Sequence, residues 1–349
     1  MQKFPWRRLV KLGMVNIAVL TLLIVACELI YRIWMARAAI LQSPPKLIAA
    51  VLNAESKDSH LNNSNERRYP TPYIMFKGKP YALDHNSDGF RFDNSSINGD
   101  EINVAFFGGS TGYVGNPPIA EILSETLSKQ HSKKIRFLNF SVPSSNHNQH
   151  LHSILEQAKK YKIDLVVFYG GYNETIQTAS YDPRPGYPYN FRIRNELQPE
   201  LQLLVKHSLL FSSLSQRSGL INLILGITDK PFNHEWNTSI VGNYIDTLKQ
   251  ASVISKALFS GGRCQSQFLA IYQPYQYSKG APELFKTEVH DAIKERGRGL
   301  PYWIDVSGSL DSRPDVYTDI VHINADGNKI VAAAIANNSV WARLIAACR

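Results

Sequence analysis

Short apolar runs alternate with segments of helical periodicity through most of this chain. Five of the runs are typical of strands buried on both faces of a sheet, and they lie at 102–107, 135–140, 164–169, 267–273 and 302–306. Helical spacing occurs between or after them, at 118–130, 146–161, 282–296 and 324–346. The alternation predicts an α/β fold, a three-layer sandwich in which helices cover both faces of a parallel five-stranded sheet.

The N-terminus contains an apolar stretch at 12–34, in which only Glu28 and Arg32 are charged. Its length is about the 20 residues that a transmembrane helix needs. Basic residues before it place residues 1–11 in the cytoplasm by the positive-inside rule. We therefore predict a single-pass anchor at 12–34, with the rest of the chain exported, to the periplasm in a Gram-negative cell.

Two cleaved forms of the N-terminus remain open alternatives to an intact anchor. Ala36-Arg37-Ala38 is a small-residue site that a signal peptidase could use. The segment 24–27 resembles a bacterial lipoprotein signal, with Cys27 as the acylated residue. The chain stays apolar for two more turns after Cys27, which favours the intact anchor.

The net charge of +9 is concentrated near the N-terminus. The first 50 residues carry seven basic side chains against Glu28 alone, so the remainder of the chain is almost balanced. Nucleic acid is therefore not predicted as a partner. Hydrophobic residues make up 44% of the chain, which excludes an intrinsically disordered protein.

Residues 35–100 are predicted to form a stalk and an N-terminal arm. Within the arm, the turn-like segment 86–91 (NSDGFR) is expected to anchor Phe90 in the core. Residues 101–349 form the predicted main domain, with an insertion at about 172–262. Its tyrosine-rich start, 172–191, is either a rim on which sugar rings stack or a loop packed by its own aromatic side chains.

Cys264 and Cys348 are predicted to lie at the same end of the sandwich, opposite the ends of the strands where a site would form. In an exported domain they form either a disulfide or two buried thiols.

The first strand of the predicted sheet ends in Gly108-Gly109-Ser110-Thr111-Gly112. A phosphate-binding loop would need a lysine after the glycines, and a dinucleotide site would need G-x-G-x-x-G. Neither pattern is present, so no cofactor is predicted. The sequence G-x-S-x-G fits a nucleophile elbow, which makes Ser110 the predicted nucleophile.

Partners for Ser110 are expected beyond the carboxyl ends of neighbouring strands, because these ends form one edge of a parallel sheet. The loop after the fifth strand carries Asp319 and His322. We predict that His322 accepts the serine proton and that Asp319 orients the imidazole. After the third strand, Asn173 offers an amide N–H to an oxyanion, alongside the backbone N–H of Ser110.

These residues resemble the sequence blocks of the SGNH, or GDSL-like, hydrolase superfamily over about residues 102–345. The blocks are Gly109-Ser110, Gly171-Tyr172-Asn173-Glu174 and Asp319-x-x-His322, and the segment 86–91 resembles membrane-anchored bacterial members. The resemblance implies a flavodoxin-like fold, a triad of Ser110, His322 and Asp319, and an oxyanion hole of Ser110, Ser144 and Asn173. Two positions depart from the family pattern: Gly109 stands where the family has Asp, and Ser144 where it has Gly.

Three other interpretations were less consistent with the sequence. The α/β-hydrolase fold shares G-x-S-x-G, but its serine does not follow the first strand. Asp305 and Asp315 could orient His322, yet neither has the three-residue spacing of Asp319. Three histidines near the start of the second helix lack the spacing of a metal site, so no metal is predicted and a solvated helix start is expected. They are His147, His150 and His152.

The predicted reaction is serine-dependent hydrolysis of a carboxylic ester, with O-acetyl groups on a cell-envelope or extracellular glycan as the substrate. One alternative is an O-acyltransferase that uses the same triad, with a hydroxyl of an envelope polysaccharide in place of water. The other is a non-catalytic glycan-binding or assembly protein. The expected partners are an acylated glycan or other ester substrate, the membrane through the N-terminal helix, and the machinery of an envelope polysaccharide.

Overall fold

The computed structural model describes residues 6–41, 68–71, 74–81, 85–93, 100–156, 160–175, 186, 235–264, 267–276 and 283–348, which belong to two units. The described part of the first unit is the helix α1, Trp6–Leu41. Its stretch Met14–Ile33 has a mean hydropathy of 2.2 and is long and apolar enough to cross a membrane. A signal sequence would meet the same criteria of length and composition.

The second unit is built on a sheet of five parallel strands. The strands are β3 (Ile102–Gly108), β4 (Ile135–Asn139), β5 (Leu165–Gly170), β6 (Phe268–Tyr272) and β7 (Trp303–Asp305), and they lie in the order β4-β3-β5-β6-β7. Numbered from the first strand of the sheet, this order is 2-1-3-4-5, which is the flavodoxin-like order. The predicted fold class is therefore confirmed.

Helices cover both faces of this sheet. They are α2 (Ser110–Tyr113), α3 (Ile119–His131), α4 (His147–Glu156), α5 (Glu235–Leu258), α6 (Glu283–Arg298), α7 (Ala325–Ala336) and α8 (Ser339–Ala346). Side chains of α4, α5 and α6 pack on one face, where Phe107 and Phe168 point. Side chains of α3, α7 and α8 pack on the other face, with Val104 and Phe106. Successive residues of each strand point to opposite faces, which is why both faces of the strands are apolar.

The N-terminal arm contributes a two-stranded antiparallel sheet that was not predicted. Its strands are β1 (Arg68–Thr71) and β2 (Met75–Gly78). The predicted anchoring of Phe90 is confirmed, because this residue is 2% exposed. Asn86 Oδ1 forms the turn by accepting the backbone N–H groups of Asp88 and Phe90 at 3.0 Å.

The last predicted helix, 324–346, is divided into α7 and α8. Asn338 interrupts it, because its backbone is extended and its side chain accepts the N–H of Val340 to cap α8. The helix predicted at 146–161 is α4, which ends at Glu156.

Cys264 and Cys348 form a disulfide, which decides between the two alternatives for these cysteines. Cys264 precedes β6 and Cys348 follows α8, so the bond lies where the strands begin. Both residues are buried in the core on the α3, α7 and α8 face.

Candidate active site

Ser110 lies just beyond the carboxyl end of β3 and is the first residue of the short helix α2. Two residues at the ends of other strands hold this helix from within the fold. Asn139 Nδ2 donates to Gly112 O at 3.0 Å, and Thr111 Oγ1 donates to Gln273 Oε1 at 3.1 Å. The N–H groups in the first turn of a helix have no partner within the helix, so the N–H of Ser110 is available to a ligand.

The N-terminal arm holds the other end of α2. The guanidinium of Arg91 donates to Tyr113 O and, at 3.2 Å, to Gly115 O. It also lies 5.2 Å from the centroid of the Tyr113 ring, and His85 Nε2 lies 2.8 Å from the hydroxyl of Tyr113. The turn at 86–91 is predictable from the sequence, but its contact with the helix that begins at Ser110 is not, since only the fold brings the two segments together.

The loop between β7 and α7 places His322 against Ser110. Nε2 of His322 lies 2.7 Å from Ser110 Oγ, and Nδ1 lies 2.5 Å from Asp319 Oδ2. The other carboxylate oxygen of Asp319 accepts the backbone N–H groups of Val321 at 2.8 Å and His322 at 2.7 Å. The three-residue spacing therefore folds into a turn in which one carboxylate holds both the backbone and the ring of His322.

Asp319 carries a negative charge next to the imidazole. Partial burial acts to raise its pKa, but hydrogen bonds from the His322 ring and from two backbone N–H groups lower the pKa to about 2. An ionised Asp319 accepts the Nδ1–H of His322, which leaves the lone pair of Nε2 directed at Ser110 Oγ. In this arrangement a serine hydroxyl can pass its proton to the imidazole as it attacks a carbonyl carbon.

The segments that carry Ser144 and Asn173 meet beside Ser110. Asn173 Nδ2 donates to the backbone oxygen of Ser145 at 2.7 Å. Ser144 has a φ of +66°, in the left-handed region that favours glycine, although it is a serine. Within the described part of the chain, the N–H of Ser144 forms no hydrogen bond. The backbone at this position therefore adopts a conformation typical of glycine and leaves a donor available.

All these residues lie at one edge of the sheet. Ser110 follows β3 and Asn173 follows β5, and these neighbouring strands mark the point where the strand order reverses. Ligands bind at this point in open parallel sheets. The two alternative orienters pair with other side chains: Asp305 Oδ2 is 3.7 Å from Lys294 Nζ, and Asp315 pairs with Arg313 at 2.7 Å.

The prediction of a solvated helix start for the three histidines is wrong for two of them. His147 and His150 are 1% and 2% exposed, whereas His152 is exposed. The start of α4 packs against the sheet, and the His147 ring lies 5.0 Å from that of Phe168. Both buried histidines join a hydrogen-bonded network with Glu174 that sequence reasoning did not identify.

No protein-family model and no curated protein matches this sequence. Solved structures are similar at low identity. A lipase/acylhydrolase from Enterococcus faecalis is 13% identical, with 70% of this chain and 97% of that protein covered and a TM-score of 0.42. An acetylxylan esterase from Geobacillus stearothermophilus is also 13% identical, with 67% and 92% covered and a TM-score of 0.38.

Proposed function

We propose that this chain is a membrane-anchored serine esterase of the SGNH type that removes O-acetyl groups from a cell-envelope or extracellular glycan. The observation that carries the ester chemistry is the hydrogen-bonded line from Asp319 through His322 to Ser110. A serine hydroxyl 2.7 Å from an imidazole that a carboxylate orients has the arrangement that acyl transfer requires.

In the proposed reaction, Ser110 Oγ attacks the ester carbonyl carbon while His322 takes its proton and Asp319 stabilises the imidazolium. The carbonyl oxygen becomes an oxyanion, to which the N–H groups of Ser110 and Ser144 and the amide of Asn173 donate. His322 then protonates the departing sugar oxygen, which leaves an acetyl group on Ser110. Water attacks this acetyl-enzyme with His322 as the base and releases acetate.

Two features support an exported, anchored domain. Arg32 Nε lies 2.8 Å from Glu28 Oε1 within α1, so the two charges in the apolar stretch form an ion pair, which reduces their cost in lipid. The disulfide between Cys264 and Cys348 is a bond that persists in oxidising compartments. We therefore propose that α1 stays attached as the anchor, with its basic end in the cytoplasm.

The glycan substrate is proposed from the exported position and the tyrosine-rich segment at 172–191. Most of this segment lies outside the described residues. Its first residue, Tyr172, packs edge to face against Tyr275 with ring centroids 5.7 Å apart. At this one position, therefore, the aromatic side chain packs within the fold, and the role of the remaining tyrosines stays a prediction.

The experiment uses the full-length chain in detergent with 4-nitrophenyl acetate and with an O-acetylated envelope polysaccharide. We expect release of acetate from both substrates by the wild type and from neither by Ser110→Ala. Turnover of long-chain esters without turnover of acetyl esters would contradict the substrate assignment. Transfer of the acetyl group to a sugar without free acetate would favour the acyltransferase alternative.

A further inference from the structure

A closed ring of hydrogen bonds lies behind the candidate oxyanion hole. Its members come from the loop after β4, from α4 and from the loop after β5, and they are Ser145, His147, His150, Asn173 and Glu174. The side chains of His147, His150 and Glu174 are almost completely buried, and none of these three residues belongs to the triad.

Glu174 joins the loop after β5 to the start of α4. Its Oε1 accepts the backbone N–H of His147 at 2.9 Å and lies 3.1 Å from the Nδ1 of the same residue. Its Oε2 accepts the backbone N–H of Gly171 at 2.7 Å. Asn173 lies between Gly171 and Glu174 in the chain, so the carboxylate fixes the backbone on both sides of it.

The two histidines continue the ring to Ser145. The hydroxyl of Ser145 donates to backbone carbonyl oxygens, so His150 Nε2, 3.1 Å from that hydroxyl, carries a hydrogen and donates to it. The Nδ1 of His150 then accepts from the Nδ1 of His147 at 3.2 Å. The backbone oxygen of Ser145 accepts from Asn173 Nδ2 at 2.7 Å, which closes the ring.

The ionisation states agree with this assignment of hydrogens. Burial lowers the pKa of His147 to about 3 and holds the pKa of His150 well below its usual value, so both imidazoles are neutral. Burial raises the pKa of Glu174 to about 7, whereas the backbone N–H groups that it accepts act in the opposite direction. Each neutral imidazole therefore has one nitrogen that donates and one that can only accept.

We propose that Glu174, His147 and His150 are positioning residues that hold Asn173 and the turn at Ser144 in the geometry of the oxyanion hole. The proposal rests on the esterase function proposed above. One amide hydrogen of Asn173 is committed to Ser145, so the ring fixes the direction of the second hydrogen. A left-handed backbone conformation at a serine is maintained only when surrounding contacts hold it. Ser144 has this conformation, and the next residue, Ser145, is a member of the ring.

The same three positioning residues also carry donor atoms that could bind a metal ion, since these atoms lie within 4.8 Å of one another. Hydrogen bonds already occupy most of them: of the imidazole nitrogens and carboxylate oxygens of His147, His150 and Glu174, only His147 Nε2 has no hydrogen-bond partner. The remaining atoms hold one another in the ring. Metal content is therefore one outcome of the test.

Glu174→Gln is the main variant, because it keeps the shape of the side chain but turns an NH2 group towards one of the two backbone N–H groups. Asp164→Asn is a matched control at the opposite edge of the sheet. The buried Asp164 carboxylate likewise accepts two backbone N–H groups from separate segments, those of Asn103 at 2.9 Å and Arg263 at 2.8 Å. Each variant loses one hydrogen bond from a backbone N–H to a buried carboxylate, but only Glu174 lies at the candidate site.

The full-length variants are compared in detergent by steady-state kinetics with 4-nitrophenyl acetate and by the rate of labelling with an organophosphonate. We expect Glu174→Gln to lower kcat by about 100-fold, the cost of misplacing a catalytic group by about 1 Å, and to slow labelling in parallel. KM should stay unchanged, and Asp164→Asn should keep the kcat of the wild type. Ser145→Ala removes the hydroxyl that links His150 to the ring and that donates to backbone carbonyl oxygens. It should lower kcat by about tenfold, which tests the ring if Glu174→Gln does not fold.

An unchanged kcat in Glu174→Gln, or an equal loss in Asp164→Asn, would overturn the proposal. So would one equivalent of a divalent metal that copurifies with the wild type and is lost in Glu174→Gln, because the three residues would then be metal ligands. A wild type that neither turns over the ester nor reacts with the phosphonate contradicts the esterase function itself. That result is distinct from an active wild type with an unaffected Glu174→Gln.

Discussion

Gly109 and Asn173 approach each other so closely that no side chain fits at position 109. A Cβ atom there would lie 2.3 Å from Asn173 Nδ2 and 3.1 Å from the backbone oxygen of Ser145. The family that this sequence resembles has Asp at this position. The departure from its pattern therefore accompanies a close contact between Gly109, which precedes the proposed nucleophile, and Asn173, the proposed oxyanion donor.

Gly109→Ala should displace the amide of Asn173. We expect kcat for an acetyl ester to fall by about 100-fold with little change in KM, because the donor is moved by about 1 Å or more. Gly242→Ala in α5 is a suitable control, since a Cβ at Gly242 meets no atom within 4 Å. Equal kinetics for both variants would show that the contact at Gly109 does not position a donor.

Asn173→Ala removes the proposed donor directly. The hydrogen bond from the amide strengthens as negative charge develops on the carbonyl oxygen. The variant should therefore lose about 3 kcal/mol of transition-state stabilisation, so kcat should fall while KM changes little. Steady-state kinetics of the purified variant measure both constants. A change confined to KM would place Asn173 in substrate binding instead.

The strands and the triad candidates could be predicted because their signals are local. Val104 and Phe106 face one core and Phe107 the other, so β3 is apolar throughout. Ser110 and His322 each follow a strand, and parallel topology brings those strand ends to one edge of the sheet. Fold class and site location therefore follow from short segments of sequence.

The ring of hydrogen bonds behind the proposed oxyanion hole could not be predicted in this way. A histidine at a helix start is buried or solvated according to how the helix packs, and nothing near His147 in the sequence specifies that. The strands β1 and β2 have four residues each, and Pro70 and Lys77 give them no apolar alternation. Whether Cys264 and Cys348 bond depends on a distance across 84 residues, which only the fold determines.

The disulfide should stabilise the domain without affecting catalysis. It closes a loop with a sequence separation of 84. In the chain-entropy model, a loop of this size contributes about 4.5 kcal/mol to the free energy of unfolding. Reduction, or Cys264→Ser with Cys348→Ser, should lower that free energy and leave kcat at 25 °C unchanged, because Ser110 lies at the opposite end of the strands. Mass mapping that finds two alkylatable thiols in unreduced, denatured protein would contradict the bond.

The buried histidines should make the domain sensitive to acid. The pKa of His147 falls from 6.5 to about 3 on folding, so between these values the unfolded chain binds a proton that the folded chain does not. Its contribution to stability is complete above pH 6.5 and is lost as the pH falls, by about 1.4 kcal/mol per pH unit. His147→Gln should reduce the slope of unfolding free energy against pH by this amount between pH 6 and 4. Identical slopes for the variant and the wild type would show that His147 is not held neutral.

The central claim is that Ser110 is a nucleophile that His322 activates. The most direct measurement is the mass-spectrometric mapping of an organophosphonate label on the full-length protein, together with ester turnover by Ser110→Ala and His322→Ala. We predict one label per chain, on Ser110, that is absent in Ser110→Ala and forms much more slowly in His322→Ala, with turnover lost in both variants by several orders of magnitude. A label on another serine, or near-wild-type turnover by folded Ser110→Ala, would contradict the account.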